Sequence, residues 1–198
     1  MPTDLLQAVG KVESALLPPG METTAFPVFI MMSGLPGSGK SYLSQRLAEE
    51  LPAVVVESDR VRKTLFPEPA YTAEESALIH RICQEVIRRL LARGVRVIFD
   101  ATNLIEFQRE ALYSLAERSG ARLLIVRTVA PEPVVHERLE QRKLHPANAS
   151  DADWRVYRRM STSEQQIARS HLCIDTSQDI DQAIRRIMKA IRHRSAKR

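Results

Sequence analysis

Long apolar runs are missing from this chain, and so are the spacings that build metal or disulfide frameworks. No apolar run approaches the ~20 residues that span a membrane, and no apolar block of signal-peptide length stands near the N-terminus. The two cysteines, Cys83 and Cys173, lie in apolar surroundings without a C-x-x-C spacing. We therefore expect reduced core thiols and no zinc site, in a cytoplasmic protein with no membrane partner.

Aromatic residues are also scarce, at 5% of the chain, and none recurs at a regular spacing on a basic face where bases could stack. The net charge of +5 comes from the C-terminal end. Residues 185–198 hold seven basic residues and no acidic one, and the rest of the chain has a net charge of −2. Such an end either contacts nucleic acid or is a solvated helix end that the helix dipole stabilises.

The few glycines concentrate in one motif, G-x-x-x-x-G-K-[ST], which is typical of a phosphate-binding loop. An apolar strand pattern precedes the motif and a helical pattern follows it, which is the context that the motif requires. Its glycines let successive N–H groups point at phosphate oxygens, and the helix adds its positive dipole end. We expect the following residues to bind ATP: Gly34, Leu35, Pro36, Gly37, Ser38, Gly39, Lys40, Ser41 and Tyr42.

Within this motif, Lys40 would reach the β- and γ-phosphates, and the Ser41 hydroxyl would bind Mg²⁺. A second metal ligand is expected after the third strand pattern, where apolar residues end in Asp100. This carboxylate either holds Mg²⁺ or caps the next turn. Thr102 and Asn103 follow directly and either form the turn or line the acceptor site.

Strand and helix patterns alternate along the chain, which predicts an α/β domain with a doubly wound parallel sheet and helices on both faces. The length of 198 residues suits one such domain. We divide the chain into an N-terminal helix and linker (1–25), the main domain (26–184) and the basic end (185–198). The strands are expected at 27–33, 53–57, 95–99, 122–128 and 171–174, and the helices at 3–17, 40–51, 73–93, 106–119, 131–143, 153–169 and 179–193.

Ligands bind at the carboxyl ends of the strands in such sheets, so residues just after each strand are candidates for the site. Asp59 follows the second strand and could orient an attacking hydroxyl, or it could cap a helix. Arg62 lies one helical turn further and could bind an anionic acceptor, or it could be a solvated charge.

Residues 131–160 read as helix, polar loop and helix, with Arg138 and Arg142 on one face of the first arm. The pattern predicts either a lid that brings positive charge to the transferring phosphoryl group or an ordinary helix hairpin with salt bridges. Ser150-x-x-Asp153 predicts a capping box at the second arm.

The order GLPGSGKS, SDRVR, IFDATN, RLEQR, SDADW and CIDTS resembles the small P-loop kinases grouped with the 5′-hydroxyl polynucleotide kinases, also labelled AAA-domain ATP-binding proteins. The resemblance covers about residues 27–182. It implies a five-stranded sheet of order 2-3-1-4-5 with a helical lid. It also implies that Asp59 acts on the acceptor hydroxyl, that Arg62 grips an acceptor phosphate, and that the lid arginine is Arg138 or Arg142. Threonine usually follows the G-K-S in this group, whereas this chain has Tyr42.

The sequence thus predicts an ATP- and Mg²⁺-dependent phosphotransferase, monomeric or homodimeric, that moves the γ-phosphate to an acceptor hydroxyl. One candidate acceptor is a nucleic-acid or nucleotide 5′-OH, which the basic end and Arg62 favour. The alternative is a small-molecule alcohol, as in gluconate, antibiotic or zeta-toxin-like kinases, which the scarcity of aromatic residues favours. A nucleotide-binding ATPase switch would instead position a water beside Asp59.

Overall fold

The computed structural model describes residues 3–143 and 151–193, which form five strands and eight helices. The loop predicted between the two lid helices and the last five residues of the basic end lie outside the described residues. In chain order the elements are α1 (Thr3–Leu16), β1 (Val28–Ser33), α2 (Lys40–Glu50), β2 (Val54–Glu57), α3 (Ser58–Leu65), α4 (Ala73–Ala92), β3 (Val97–Asp100), α5 (Glu106–Arg118), β4 (Arg122–Val129), α6 (Glu132–Lys143), α7 (Trp154–Ser161), β5 (Leu172–Asp175) and α8 (Ile180–His193).

All five strands pair in parallel, in the order β2-β3-β1-β4-β5. This confirms the predicted doubly wound fold and strand order. In the register of β2 with β3, Glu57 lies opposite Asp100, so two carboxylates end neighbouring strands at the same edge of the sheet. Parallel strands bring their carboxyl ends together, and the residues that follow them therefore share one cleft.

Two apolar layers cover the sheet, and strand alternation decides which side chain enters which layer. On β1, Phe29 and Met31 pack with α1, α4 and α5, whereas Ile30 and Met32 pack with α2 and α8. All four side chains are fully buried. A strand at the centre of a parallel sheet is buried on both faces, which explains the near-continuous apolar run of β1.

The two terminal helices belong to these same layers. Leu5, Val9 and Val12 of α1 are buried beside α4, and Lys11 donates to the carbonyl of Thr64 at the C-terminal end of α3, 3.0 Å away. On α8, the buried Ile184 and Ile187 face α2, and the basic residues at 185, 186, 189 and 192 are exposed. None of the described helices is long and apolar enough to cross a membrane.

Two predictions about local structure were wrong. The helix expected over 153–169 ends at Ser161, because the backbone of Gln165 bonds elsewhere: its N–H donates to Leu104 and its carbonyl accepts from Arg109. Ser150 of the predicted capping box lies outside the described residues, and the N-cap of α7 is Asp153, whose carboxylate accepts from the N–H of Val156. Cys173 is exposed, since it lies on the edge strand β5, while Cys83 is the buried thiol that the sequence predicts.

Arg109 is the largest fully buried side chain, and it ties three segments together. Its guanidinium donates to Glu106, to the carbonyl of Asn103, and to the carbonyls of Gln165 and Gln166. We expect Arg109→Met to lower the free energy of unfolding by about 3–5 kcal/mol, because the substitution leaves buried acceptors without their charged donor. Urea unfolding followed by circular dichroism measures the change.

The matched control is Arg118→Met on the same helix, where the side chain is exposed and the expected change is within about 0.5 kcal/mol. Equal effects of the two substitutions would contradict a structural role of the buried arginine.

Candidate active site

The phosphate loop joins β1 to α2, and its glycines adopt backbone conformations that other residues avoid. Gly34 has φ 147° and Gly39 has φ 84°. A Cβ atom on Gly34 would lie 2.5 Å from the carbonyl oxygen of Thr128, and one on Gly39 would lie 2.6 Å from Thr176 Oγ1. The loop therefore requires glycine at both positions for conformation and for space. The helix α2 begins at Lys40, directly after the loop.

Residues on β4, on α6 and just after β5 form hydrogen bonds with the loop. Thr176, just after β5, donates its hydroxyl to the carbonyl of Ser38 at 2.9 Å. Ser38 Oγ lies 2.7 Å from Thr128 Oγ1 on β4. Arg138 of α6 donates to the carbonyl of Gly37 at 3.3 Å and to both oxygens of Thr176 at 2.8 Å. These contacts hold the loop in the curled form that phosphate binding requires.

Lys40 is buried inside this loop, and its ammonium donates to the carbonyl of Leu35 at 2.9 Å. Burial lowers the pKa of Lys40, and the charges of Asp100 and Asp59 oppose that shift. Both carboxylates thus lie within electrostatic range of the ammonium. The lysine, the second-strand carboxylate and the third-strand carboxylate predicted from the sequence are brought together in one cleft.

Asp100 ends β3 and is 3% exposed. Its Oδ2 is buried and has no hydrogen-bond partner among the described residues. Burial raises the pKa of Asp100, while Lys40 and the Ser41 hydroxyl act in the opposite direction. A buried carboxylate oxygen without a partner, beside a serine hydroxyl, is a donor set that Mg²⁺ prefers. Ser41 and Asp100 therefore fit a magnesium ion.

Asp59 and Glu57 lie near Asp100. Asp59, in the first turn of α3, is half-buried, and no hydrogen bond or ion pair within the described ranges occupies its carboxylate. Burial, together with the charges of Asp100 and Asp59, raises the pKa of Glu57 to about 7. The cleft thus holds one carboxylate available to a ligand and a second that is largely protonated below neutral pH.

Four other predicted residues lie in different surroundings. Arg62 is buried in an ion pair with Glu75. Asn103 is 1% exposed and donates to the carbonyl of Met32 at 2.7 Å, so it closes the turn after β3. Thr102 is half-buried at the strand end, and its carbonyl accepts from the N–H of Gly34. Tyr42 is 53% exposed on α2, where its hydroxyl accepts from Arg46.

The two lid arginines have different environments. Arg138 is committed to Gly37 and Thr176, as described above. Arg142, one turn further along α6, has no ion pair or hydrogen bond within the described part of the chain, and its charge acts on Lys40, Glu57 and Asp100. Arg142 therefore contributes its positive field to the cleft, whereas Arg138 braces the loop.

Sequence reasoning missed three residues at or beside this site: Glu57, Glu75 and Thr176. Glu57 and Thr176 carried the same signal as Asp100, because each stands at the carboxyl end of a strand pattern. Glu75 carried no such signal, since it lies in the first turn of α4, and its pairing with Arg62 depends on how α3 and α4 pack.

The raised pKa of Glu57 predicts a pH dependence of stability. Between about pH 4.5 and pH 7 the unfolded chain has lost this proton and the folded chain has kept it, so the wild type loses stability as the pH rises. Glu57→Gln removes this loss. We expect the free energy of unfolding of the variant, relative to wild type, to increase across that window and to level off above it.

Urea unfolding in EDTA at several pH values tests this, with Glu50→Gln, an exposed position on α2, as the control for net charge. A difference between Glu57→Gln and wild type that does not change with pH would contradict the assignment.

The comparisons with known proteins concern the fold and the family of the chain. Rat 6-phosphofructo-2-kinase/fructose-2,6-bisphosphatase 1 is 27% identical over 149 residues, which are 66% of this chain and 31% of the rat protein. The chain thus spans about a third of that relative. The structure of the Mycobacterium tuberculosis APS kinase CysC, solved with AMPPNP and APS, has a TM-score of 0.66 at 18% identity and covers 85% of this chain and 99% of its own.

A gluconokinase from Sinorhizobium meliloti 1021 has a TM-score of 0.59 at 20% identity and covers 87% of this chain and 99% of its own. The fold is therefore that of P-loop kinases. The AAA domain family AAA_33 matches residues 29–167, from the phosphate-loop strand to the segment after α7. Because this match covers more than half of the sequence, the chain belongs to the AAA domain family.

Proposed function

We propose that this protein is an ATP- and Mg²⁺-dependent phosphotransferase that moves the γ-phosphate to an acceptor hydroxyl. The observation that carries the proposal is the Asp59 carboxylate, which has no partner among the described residues and lies near the buried Lys40 and the Asp100 oxygen that likewise has none there. A phosphate loop alone would suit any nucleotide-binding module. A free carboxylate on the acceptor side of the loop is what a kinase needs to orient an alcohol.

In this proposal the acceptor oxygen attacks the γ-phosphorus, the bond to the β–γ bridging oxygen breaks, and ADP leaves. Asp59 accepts the hydrogen bond of the attacking hydroxyl and takes up its proton as the new ester forms. Lys40 and the loop N–H groups hold the β- and γ-phosphates, and Arg142 opposes the charge on the transferring group. When bound by Ser41 and Asp100, Mg²⁺ supplies charge neutralisation of the triphosphate.

Two acceptor classes remain as candidates. The resemblance to polynucleotide kinases favours a nucleic-acid or nucleotide 5′-OH, with Arg62 on an acceptor phosphate. The similarity to a gluconokinase and to a 6-phosphofructo-2-kinase favours a small alcohol. The pairing of Arg62 with Glu75 gives no support to a phosphate grip, so we favour the small alcohol.

Transfer of labelled γ-phosphate from ATP with Mg²⁺ tests the proposal, with 5′-OH DNA and RNA oligonucleotides offered beside a pool of small alcohols. Label on an alcohol or on an oligonucleotide establishes a kinase and its acceptor class. Release of inorganic phosphate alone, unchanged by any acceptor, would instead identify an ATPase switch.

Asp59→Asn is expected to lower kcat by about 10²–10⁴-fold, the range for loss of a positioned acid or base, and to leave ATP affinity nearly unchanged. Lys40→Ala should abolish turnover and weaken ATP binding, because it removes the charge that faces the phosphates. The label assay and calorimetric binding of AMPPNP measure the two effects. Weaker AMPPNP binding by Asp59→Asn would show that this carboxylate lies on the nucleotide side of the cleft.

The lid arginines form a matched pair for a second prediction. Arg142→Met should lower kcat by about 10²–10³-fold with little change in stability, since no hydrogen bond or ion pair in the described part of the chain depends on its guanidinium. Arg138→Met should mainly raise the KM for ATP and lower the melting temperature, because it removes the brace between the loop and Thr176. The reverse assignment of the two effects would overturn our distinction between them.

A further inference from the structure

Arg62 and Glu75 form a buried ion pair between α3 and α4, close to Asp59. The side chains of Arg62 and Glu75 are 10% and 8% exposed. Arg62 also donates to Ser76 Oγ at 3.3 Å, and the ring of Tyr71 covers its guanidinium at 4.8 Å. Asp59 and Arg62 both act on the pKa of Tyr71, so the pair lies beside the acceptor carboxylate. The cation expected to meet an acceptor therefore already has an anionic partner.

Glu75 is held in place for this pairing. The N–H of Ala70 donates to Glu75 Oε2 at 2.8 Å, and the Thr72 hydroxyl accepts from the N–H of Glu75 at 3.1 Å. Burial acts to raise the pKa of Glu75, but the hydrogen bonds from Arg62 and Ala70 and the charge of Arg62 lower it. The carboxylate is thus ionised at neutral pH, and its charge cancels that of the guanidinium.

One donor of this pair is left over. Arg62 Nε is buried and has no partner among the described residues. An ion pair that is already neutral suits an uncharged group, such as a hydroxyl. A phosphate would add up to two negative charges beside Asp59 with no net cation from Arg62 to meet them, and an uncompensated buried charge is costly.

We propose that Glu75 is a specificity-determining residue, which neutralises Arg62 and so restricts the acceptor to an alcohol that carries no anionic group at this position. The inference rests on the proposed function and narrows it from any alcohol to alcohols with no anionic group beside Arg62. Without Glu75, the same site would present a free guanidinium, which binds phosphate well.

Binding of inorganic phosphate tests the inference without knowledge of the acceptor. The phosphate loop is first filled with AMPPNP and Mg²⁺, and phosphate is then titrated by ³¹P NMR. We expect wild type to bind phosphate weakly and Glu75→Gln to bind it at least about tenfold more tightly, because the substitution uncovers one partly buried unit charge. Glu74→Gln, the same change at the exposed neighbouring position, should behave as wild type.

Two double variants locate the bound ion. Addition of Arg62→Met to Glu75→Gln should abolish the gain, whereas Arg60→Met, on the exposed side of α3, should leave it. No gain in Glu75→Gln, or a gain that survives loss of Arg62, would overturn the inference. If Glu75→Gln fails to bind AMPPNP, the test uses the wild type and Arg62→Gln instead. Saturable phosphate binding by the wild type that Arg62→Gln removes would overturn the inference, and no such binding would support it.

Matched acceptors extend the test to transfer. Thymidine is compared with thymidine 3′-monophosphate, and glycerol with glycerol 3-phosphate. We expect the wild type to have the higher kcat/KM for the uncharged member of each pair. Glu75→Gln should reduce or reverse this difference through a change in KM. If wild type labels none of them or any other alcohol, the proposed function fails, while the phosphate titrations still decide the role of Glu75.

Discussion

The phosphate loop depends on one constraint: the carbonyl groups of its curled backbone need hydrogen-bond partners. Lys40 satisfies Leu35, Arg138 satisfies Gly37, and Thr176 satisfies Ser38. Each of these partners is itself placed by the sheet or by a helix packed against it. The parallel order of the strands therefore does more than form a core, because it brings the ends of β4 and β5 against the loop between β1 and α2.

The same arrangement concentrates negative charge, since parallel strands end at one edge. Glu57 and Asp100 face each other across β2 and β3, with Asp59 next to them. Two features of the protein reduce the repulsion between these carboxylates and the cost of burying them. Glu57 holds its proton to about pH 7, and Lys40 lies near the other two carboxylates. In the proposed function a divalent cation would be a third, bound by the Asp100 oxygen that has no partner among the described residues.

The strands, most of the helices and the phosphate loop could be predicted from sequence, because glycine spacing and apolar periodicity are local signals, whereas the strand order was implied by the resemblance to the P-loop kinases. The phosphate loop, the strand alternation and the carboxylates after the strands all belong to this class. The features that sequence reasoning missed depend on contacts between residues far apart in the sequence. The segment after Ser161 has a helical pattern, but its carbonyls at Gln165 and Gln166 accept hydrogen bonds from Arg109 on another helix. Arg138 and Arg142 share a helix face, and only the position of Thr176 separates a loop brace from a free cation.

Arg62 shows most clearly what local sequence patterns cannot predict. Spacing along α3 correctly places it one turn from Asp59, yet its charge is cancelled by a residue from the next helix. The charges are thereby divided, with the cations Lys40 and Arg142 near the phosphate loop and a neutral pair beside Asp59. In the proposed kinase, a triphosphate and an acceptor must not exchange places, and this asymmetry would favour one orientation. Charge would direct the phosphates to the loop and leave the side of the neutral pair to the hydroxyl.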